Sequence, residues 1–153
     1  MATELLPTVL PADGADPRRP VGGEAIQGGS KSFDIVNRQS GAVTLLNITA
    51  DTLIAASDWW WRVTHLPFGR QAYFEISGMG SVAGLGVTAS LYTAAGVLVA
   101  GSTVTTTGLA PTLNESAAIT MPSTDTLLQV KFRNSSGALL GTGSLFIARL
   151  NIR

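Results

Sequence analysis

Leu85-Gly86-Val87-Thr88-Ala89-Ser90-Leu91-Tyr92 decides the fold of this chain of 153 residues. Leu85, Val87, Ala89 and Leu91 alternate with Thr88, Ser90 and Tyr92, and a period of two puts the apolar set on one face of a β-strand. Ala94-Ala95-Gly96 then predicts a turn into Val97 to Gly101, which completes a hairpin. Upstream, Gln71 to Ser77 alternates Ala72, Phe74 and Ile76 with Tyr73 and Glu75. Downstream, Leu128, Val130 and Phe132 alternate with Gln129, Lys131 and Arg133. Asn134-Ser135-Ser136-Gly137 leads on to a return strand from Ser144 to Ile152, with Phe146, Ala148, Leu150 and Ile152 sharing a face. Shorter strands are expected at Ser32–Asn37, Ala42–Thr49, Asp51–Ala56, Trp59–His65 and Ala117–Met121. No segment keeps a helical period. Eight to ten short strands at this spacing predict an all-β domain: an antiparallel β-sandwich, a jelly roll or a barrel-like closure.

That pattern begins at a seam near Ser32. Residues 1–31 hold four of the seven prolines (Pro7, Pro11, Pro17 and Pro20), the pairs Gly22-Gly23 and Gly28-Gly29, and no aromatic residue. Such a stretch builds no core of its own. Each proline biases its predecessor toward extended backbone, so residues 1–31 are expected to form an extended N-terminal arm and residues 32–153 the β domain. Fully extended, the arm would span on the order of 100 Å. Leu5, Leu6, Val9 and Leu10 make its far end an apolar anchor, and Arg18-Arg19 is the only run of basic residues in the chain.

Composition removes several classes of function. Asp, Glu, Lys and Arg make up 13% of the residues, about half of the usual ~25%. The surface must therefore be covered by Ser, Thr, Gly and Asn, or by another subunit across a charge-depleted interface. Ten basic residues balance ten acidic ones, which leaves no electrostatic footprint for nucleic acid. The chain contains no Cys, hence no disulfide, thiolate zinc site or thiol nucleophile. His65 is the single histidine, which excludes a multi-histidine metal site. There is no Gly-x-Ser-x-Gly and no Asp-x-Asp run. Gly78-Met79-Gly80-Ser81-Val82-Ala83-Gly84 imitates a dinucleotide fingerprint, but a strand pattern follows where the helix is required. It is read instead as a flexible loop or a bulge. No cofactor, metal or catalytic residue is expected, and the protein is not expected to be an enzyme. A carboxylate pair assembled by folding, such as Asp58 with Glu75, is the remaining route to catalysis. Glu4 and Pro7 argue against a signal peptide, and no run of 18 apolar residues marks a membrane span. Synthesis in a cytoplasm is the expectation. Eight Arg against two Lys, with no Cys, leans toward a thermophilic source.

Trp59-Trp60-Trp61-Arg62 is the strongest local oddity. On a strand, Trp59, Trp61, Val63 and His65 would share the core side, leaving Trp60 and Arg62 outside as an aromatic plane beside a forked cation. Together, the arm, the Cys-free and charge-poor β domain, and the Thr/Gly-rich strands with Ala94-Ala95-Gly96 and Asn134-Ser135-Ser136-Gly137 hairpins resemble the head-decoration (cement, or auxiliary capsid) proteins of tailed bacteriophages, here one with a thermophilic host. The resemblance implies a homotrimer on the outer capsid surface of the virion, with the major capsid protein and neighbouring copies as partners. On that view Leu5, Leu6, Val9, Leu10, Arg18, Arg19, Trp60 and Arg62 are the partner-binding residues. The alternative is a carbohydrate-binding β-sandwich module of a phage fibre or secreted enzyme, with Trp60, Tyr92 and Tyr73 as stacking planes. Against it stands a shortage of Asp, Asn and Glu near those aromatics to bind sugar hydroxyls.

Overall fold

Among the described residues ten strands succeed one another: β1 (Lys31–Asn37), β2 (Val43–Leu46), β3 (Thr52–Leu53), β4 (Trp59–Trp61), β5 (Ala72–Gly80), β6 (Gly86–Thr93), β7 (Val104–Thr107), β8 (Thr112–Glu115), β9 (Thr126–Asn134) and β10 (Thr142–Ile152). The computed structural model describes residues 30–38 and 41–153. The arm contacts expected at Leu5, Leu6, Val9, Leu10, Arg18 and Arg19 lie outside them. One antiparallel sheet runs β1-β10-β5-β8, with β2 also on β10. The other runs β3-β9-β6-β7, with β4 also on β9. Because β1 and β2 share β10 and β3 and β4 share β9, the ten pieces act as eight legs. The outermost legs pair (β1 and β2 with β10), then β3 and β4 with β9, then β5 with β8, and innermost β6 with β7. A long hairpin rolled up so that successive pairs of legs fall in opposite sheets is a jelly roll, and this domain is an all-β sandwich of that kind.

The strict alternations form the core. Ala72, Phe74 and Ile76 of β5 meet Val87, Ala89 and Leu91 of β6 and Leu128, Val130 and Phe132 of β9, all buried in one cluster. Each large side chain removed from water contributes about 1.5–3 kcal/mol, so these three-residue sets outweigh any local preference.

Where the expected strands differ from the observed ones, a non-local contact is the cause. On β10 the register against β5 shifts between Leu145 and Ile147, inserting Phe146 as a bulge. Parity flips there, so Leu145 joins Ala148, Leu150 and Ile152 in the core and Phe146 is half-buried. The turn at Ala94-Ala95-Gly96 forms, with Thr93 N donating to Val97 O at 2.8 Å. Val97 to Gly101, however, contributes only the Tyr92–Leu98 bridge. β6 takes β7 as its ladder partner, with hydroxyl pairs Thr88–Thr105 (2.7 Å) and Ser90–Thr103 (2.9 Å) across it. The strand expected over Trp59–His65 stops at Trp61. Asp125 accepts from Val63 N at 2.9 Å, and the chain turns into a 3-10 segment, Val63–His65. Asn134-Ser135-Ser136-Gly137 is no hairpin, since β9 and β10 belong to opposite sheets. Ala117–Met121 shrinks to a bridge between Ile119 and Ala72, while β7, which is Thr-rich, and β8 form where the sequence pattern predicts no strand.

The glycine-rich stretch starts inside β5 rather than in a loop. A Cβ on Gly80 would lie 2.3 Å from Leu85 O, and one on Gly86 would lie 1.9 Å from Thr106 O. These glycines let backbones approach at a corner of the sandwich. Gly86→Ala is therefore expected to lower unfolding free energy by about 2–3 kcal/mol in urea titration. Gly41→Ala, which meets nothing within 4 Å, should stay within about 0.5 kcal/mol of wild type.

Candidate functional site

β4 alternates as a strand must. Trp61 is buried and donates Nε1–H to Pro122 O at 2.9 Å, Trp59 is half-buried, and Trp60 turns outward with 54% of its surface exposed. Phe33, on β1 of the other sheet, stacks on His65 at 4.9 Å and meets Trp59 at 5.3 Å, while His65 packs on Trp59 at 5.3 Å and edge-on to Trp61 at 5.6 Å. This aromatic cluster closes the open side between the sheets. His65 reaches it through the 3-10 turn, and Val63, expected on the core side, is exposed because the strand period has ended.

Two polar pairs flank Trp60 along the chain. Two residues before it, Asp58 accepts a 2.8 Å hydrogen bond from Gln129 Nε2. Two residues after it, Arg62 Nη1 lies 3.5 Å from Asp125 Oδ2, with both side chains largely in solvent. An exposed pair of this kind contributes about 0–1 kcal/mol, so it is weak as a staple. The expected shortage of carboxylates near the exposed aromatics does not hold at Trp60. Asp58 stands two residues before Trp60, just ahead of β4, a signal present in the sequence, whereas Asp125 arrives only through the fold.

Trp60, Tyr92 and Tyr73 do not converge as a platform. Tyr73 lies in the other sheet and donates its hydroxyl to Gln71 Oε1 at 3.0 Å. Tyr92 has Lys131 Nζ 4.4 Å above its ring and donates its hydroxyl to Asp51. Asp51 also accepts from Arg133 Nη1 at 2.6 Å. Burial works against the Asp51 carboxylate, but the Tyr92 hydroxyl and the Arg133 guanidinium outweigh it and hold its pKa below the ordinary value near 3.8. The same hydrogen bond to Asp51, aided by burial, pushes Tyr92 upward. Asp58 and Glu75 are not a catalytic pair: Asp58 bonds Gln129, whereas Glu75 sits in the other sheet, 3.5 Å from Arg149, which also pairs with Asp34 at 3.2 Å. Among the described residues no three His, Asp or Glu side chains could hold a metal ion, and no helix is long and apolar enough to cross a membrane. Twelve large apolar side chains of the described residues are exposed, Phe68 completely.

No protein-family model and no curated protein matches the sequence. Among solved structures the chain is similar to the VP2 subviral particle of infectious bursal disease virus, at 20% identity over 94% of this chain and 37% of that one, with a TM-score of 0.38. It is also similar to the Gx strain of that virus (19% identity, 95% and 36% covered, TM-score 0.34) and to its T13 viral particle (16%, 94% and 35%, TM-score 0.38). The chain spans little more than a third of the length of those chains.

A carboxylate held below its unfolded pKa adds stability that is complete above the ordinary value near 3.8 and is lost as pH falls through the lowered native value. Asp51→Asn is expected to cost about 1 kcal/mol at pH 7. The gap between the two proteins in thermal unfolding should close as the pH is taken below 3.8; a gap unchanged at pH 2–3 would remove the charge from the explanation.

Proposed function

We propose that this protein is a virion structural protein: a decoration or cement subunit on the outer capsid surface of a tailed phage, bound to the major capsid protein and to copies of itself. The supporting observation is the surface. A chain with 13% charged residues whose described residues expose twelve large apolar side chains is poorly matched to water and well matched to burial against protein. Jelly rolls serve as both capsid and lectin domains, so the fold alone does not choose. In this reading residues 1–31 are an arm that reaches neighbouring molecules, with Leu5, Leu6, Val9 and Leu10 as apolar anchors and Arg18 and Arg19 as polar contacts. Trp60 and Arg62 offer a second contact, of the residue types that dominate interface energies. Many weak subunits tethered this way bind tightly through high effective concentration. The lack of Cys and the excess of Arg suit a thermophilic host. No catalytic step belongs to this role.

The purified protein is expected to sediment as a homotrimer at micromolar concentration, and a monomer there would count against self-association. Deleting residues 1–31 should preserve the β-sheet circular dichroism spectrum while reducing the number of copies retained on capsids in co-sedimentation. An unfolded truncation would make the arm part of the core instead.

The Asp58–Gln129 and Arg62–Asp125 pairs on either side of Trp60 favour a second reading, a saccharide-binding module of a phage fibre or secreted enzyme. A pyranose could stack its C–H face on the indole while its hydroxyls bond the flanking amide and carboxylates. In that case wild type binds on a glycan array and Trp60→Ala loses tenfold or more in affinity. Failure of wild type to bind any glycan would end this reading.

A further inference from the structure

The charge deficit is not spread evenly. Asp, Glu, Lys, Arg and His are all absent from Ile76 to Asn114, from Asn134 to Ala148 and from Gly41 to Ala50. The topology gathers these intervals at one end of the sandwich, because Gly80 faces Gly143, Leu46 faces Thr142, Val87 faces Asn134 and Gly86 faces Thr107. Four connections therefore converge there: β2 to β3, β5 to β6, β7 to β8 and β9 to β10. Each carries exposed aliphatic side chains: Leu46 and Ile48 on the first, Val82 on the second, Leu109 on the third, and Leu140, 75% exposed, on the fourth. Arg62, Arg70 and Asp125 lie at the other end, beside the starts of β5 and β9.

This end is also tied together. Asn47 N donates to Gly141 O (3.0 Å), and Gly141 N donates back to Asn47 Oδ1 (2.7 Å). Ser81 N donates to Thr142 O (2.9 Å), Thr142 N to Ser81 Oγ (2.8 Å), Gly80 N to Gly108 O (2.8 Å) and Asn134 N to Ile48 O (2.8 Å). With these backbone groups bonded to one another, the loops turn aliphatic side chains to solvent on a frame that needs little ordering on contact.

From this we infer that the charge-free end is the surface on which a second copy of the chain docks, each copy presenting the same end. The proposal rests on the assembly reading and names the face it uses. Charge complementarity selects the occupant. A partner that placed an ion on this end would bury it unpaired, at a cost of several kcal/mol, since the nearest charges, Asp51 and Arg133, are already paired with each other. The partner surface must itself be free of charge, and the same end of another copy supplies one of matching extent. A face that meets the same face of another copy is isologous and closes with two-fold symmetry, so this contact gives a dimer and is distinct from the three-fold contact of the expected trimer.

The test uses the full chain in sedimentation velocity from 1 to 100 µM, comparing wild type, Leu46→Asp/Leu140→Asp, and Phe68→Asp at the other end. All three replace exposed side chains, and circular dichroism checks folding. The proposal expects the double variant to dissociate at least a hundredfold more weakly associated than wild type, with Phe68→Asp unchanged. A wild-type oligomer that survives the double substitution intact overturns this inference and leaves the assembly reading standing, with copies meeting elsewhere. A wild type monomeric throughout overturns the docking of copies, while capsid co-sedimentation still decides the assembly reading separately. Should the double variant fail to fold, hydrogen exchange of wild type at dilute and concentrated protein replaces it. Concentration-dependent protection confined to residues 46–49, 80–86, 107–111 and 135–141 is expected, and its absence there overturns the proposal.

Discussion

Everything in this domain depends on the face-to-face burial of β5 and β10 against β6 and β9. Side chains on a strand alternate, so committing Phe74 and Ile76, Val87 and Leu91, Val130 and Phe132, and Leu150 and Ile152 to the interior also dictates what each strand shows outside. The spacing between the sheets is set differently at the two ends. Where Gly143 faces Gly80, an added Cβ would come within 2.9 Å of Gly86 O in the opposite sheet, so backbones nearly touch. Toward the start of β9 the gap is filled by Trp61, Trp59, Phe33 and His65. The sandwich narrows at a glycine corner and widens at an aromatic one. These ends carry the two candidate surfaces, the first without charge and the second with Trp60 among polar pairs.

Much of this was legible in the sequence, and the limits are physical. Ala72-Phe74-Ile76, Leu85 to Leu91 and Leu128-Val130-Phe132 are readable because burial of one face enforces their period. The final strand misleads at Phe146, since a bulge changes parity without leaving a local mark. Trp60 is outward as its neighbours require, but the end of β4 depends on Asp125, more than sixty residues away. β7 and β8 escape detection because short, largely polar outer strands, Val104-Thr105-Thr106-Thr107 and Thr112-Leu113-Asn114-Glu115, gain their stability from the ladder they join rather than from an apolar pattern of their own. Which sheet a strand enters is equally invisible locally, so Asn134-Ser135-Ser136-Gly137 reads as a hairpin although it carries the chain across the sandwich.

Charge follows the same logic. Composition states how few charged residues there are, but three separate uncharged intervals become one surface only through the jelly-roll connections. The polar contacts at Trp60 and at Asp51 likewise join residues brought together across β4, β6 and β9. Asp51 shows how local pairing and surface character separate: its carboxylate is satisfied by Tyr92 and Arg133 on one sheet, and it is the first charge met after the uncharged Gly41–Ala50 interval.

A domain with so much exposed apolar surface must also avoid joining copies through its sheet edges, the default route by which β proteins aggregate. Its outer strands are built against that. β2, β7 and β8 have four residues each, β3 has two and β4 has three, so of the described outer strands only the seven-residue β1 is long enough to offer a ladder to another chain. β7 is Thr-rich, β8 ends at Glu115, and β1 carries Asp34 paired to Arg149. Open-ended strand addition is thereby discouraged, while the rigid, charge-free loop end remains available. Closure is a matter of symmetry: a contact that pairs a surface with itself is self-limiting, whereas head-to-tail strand addition can continue without end.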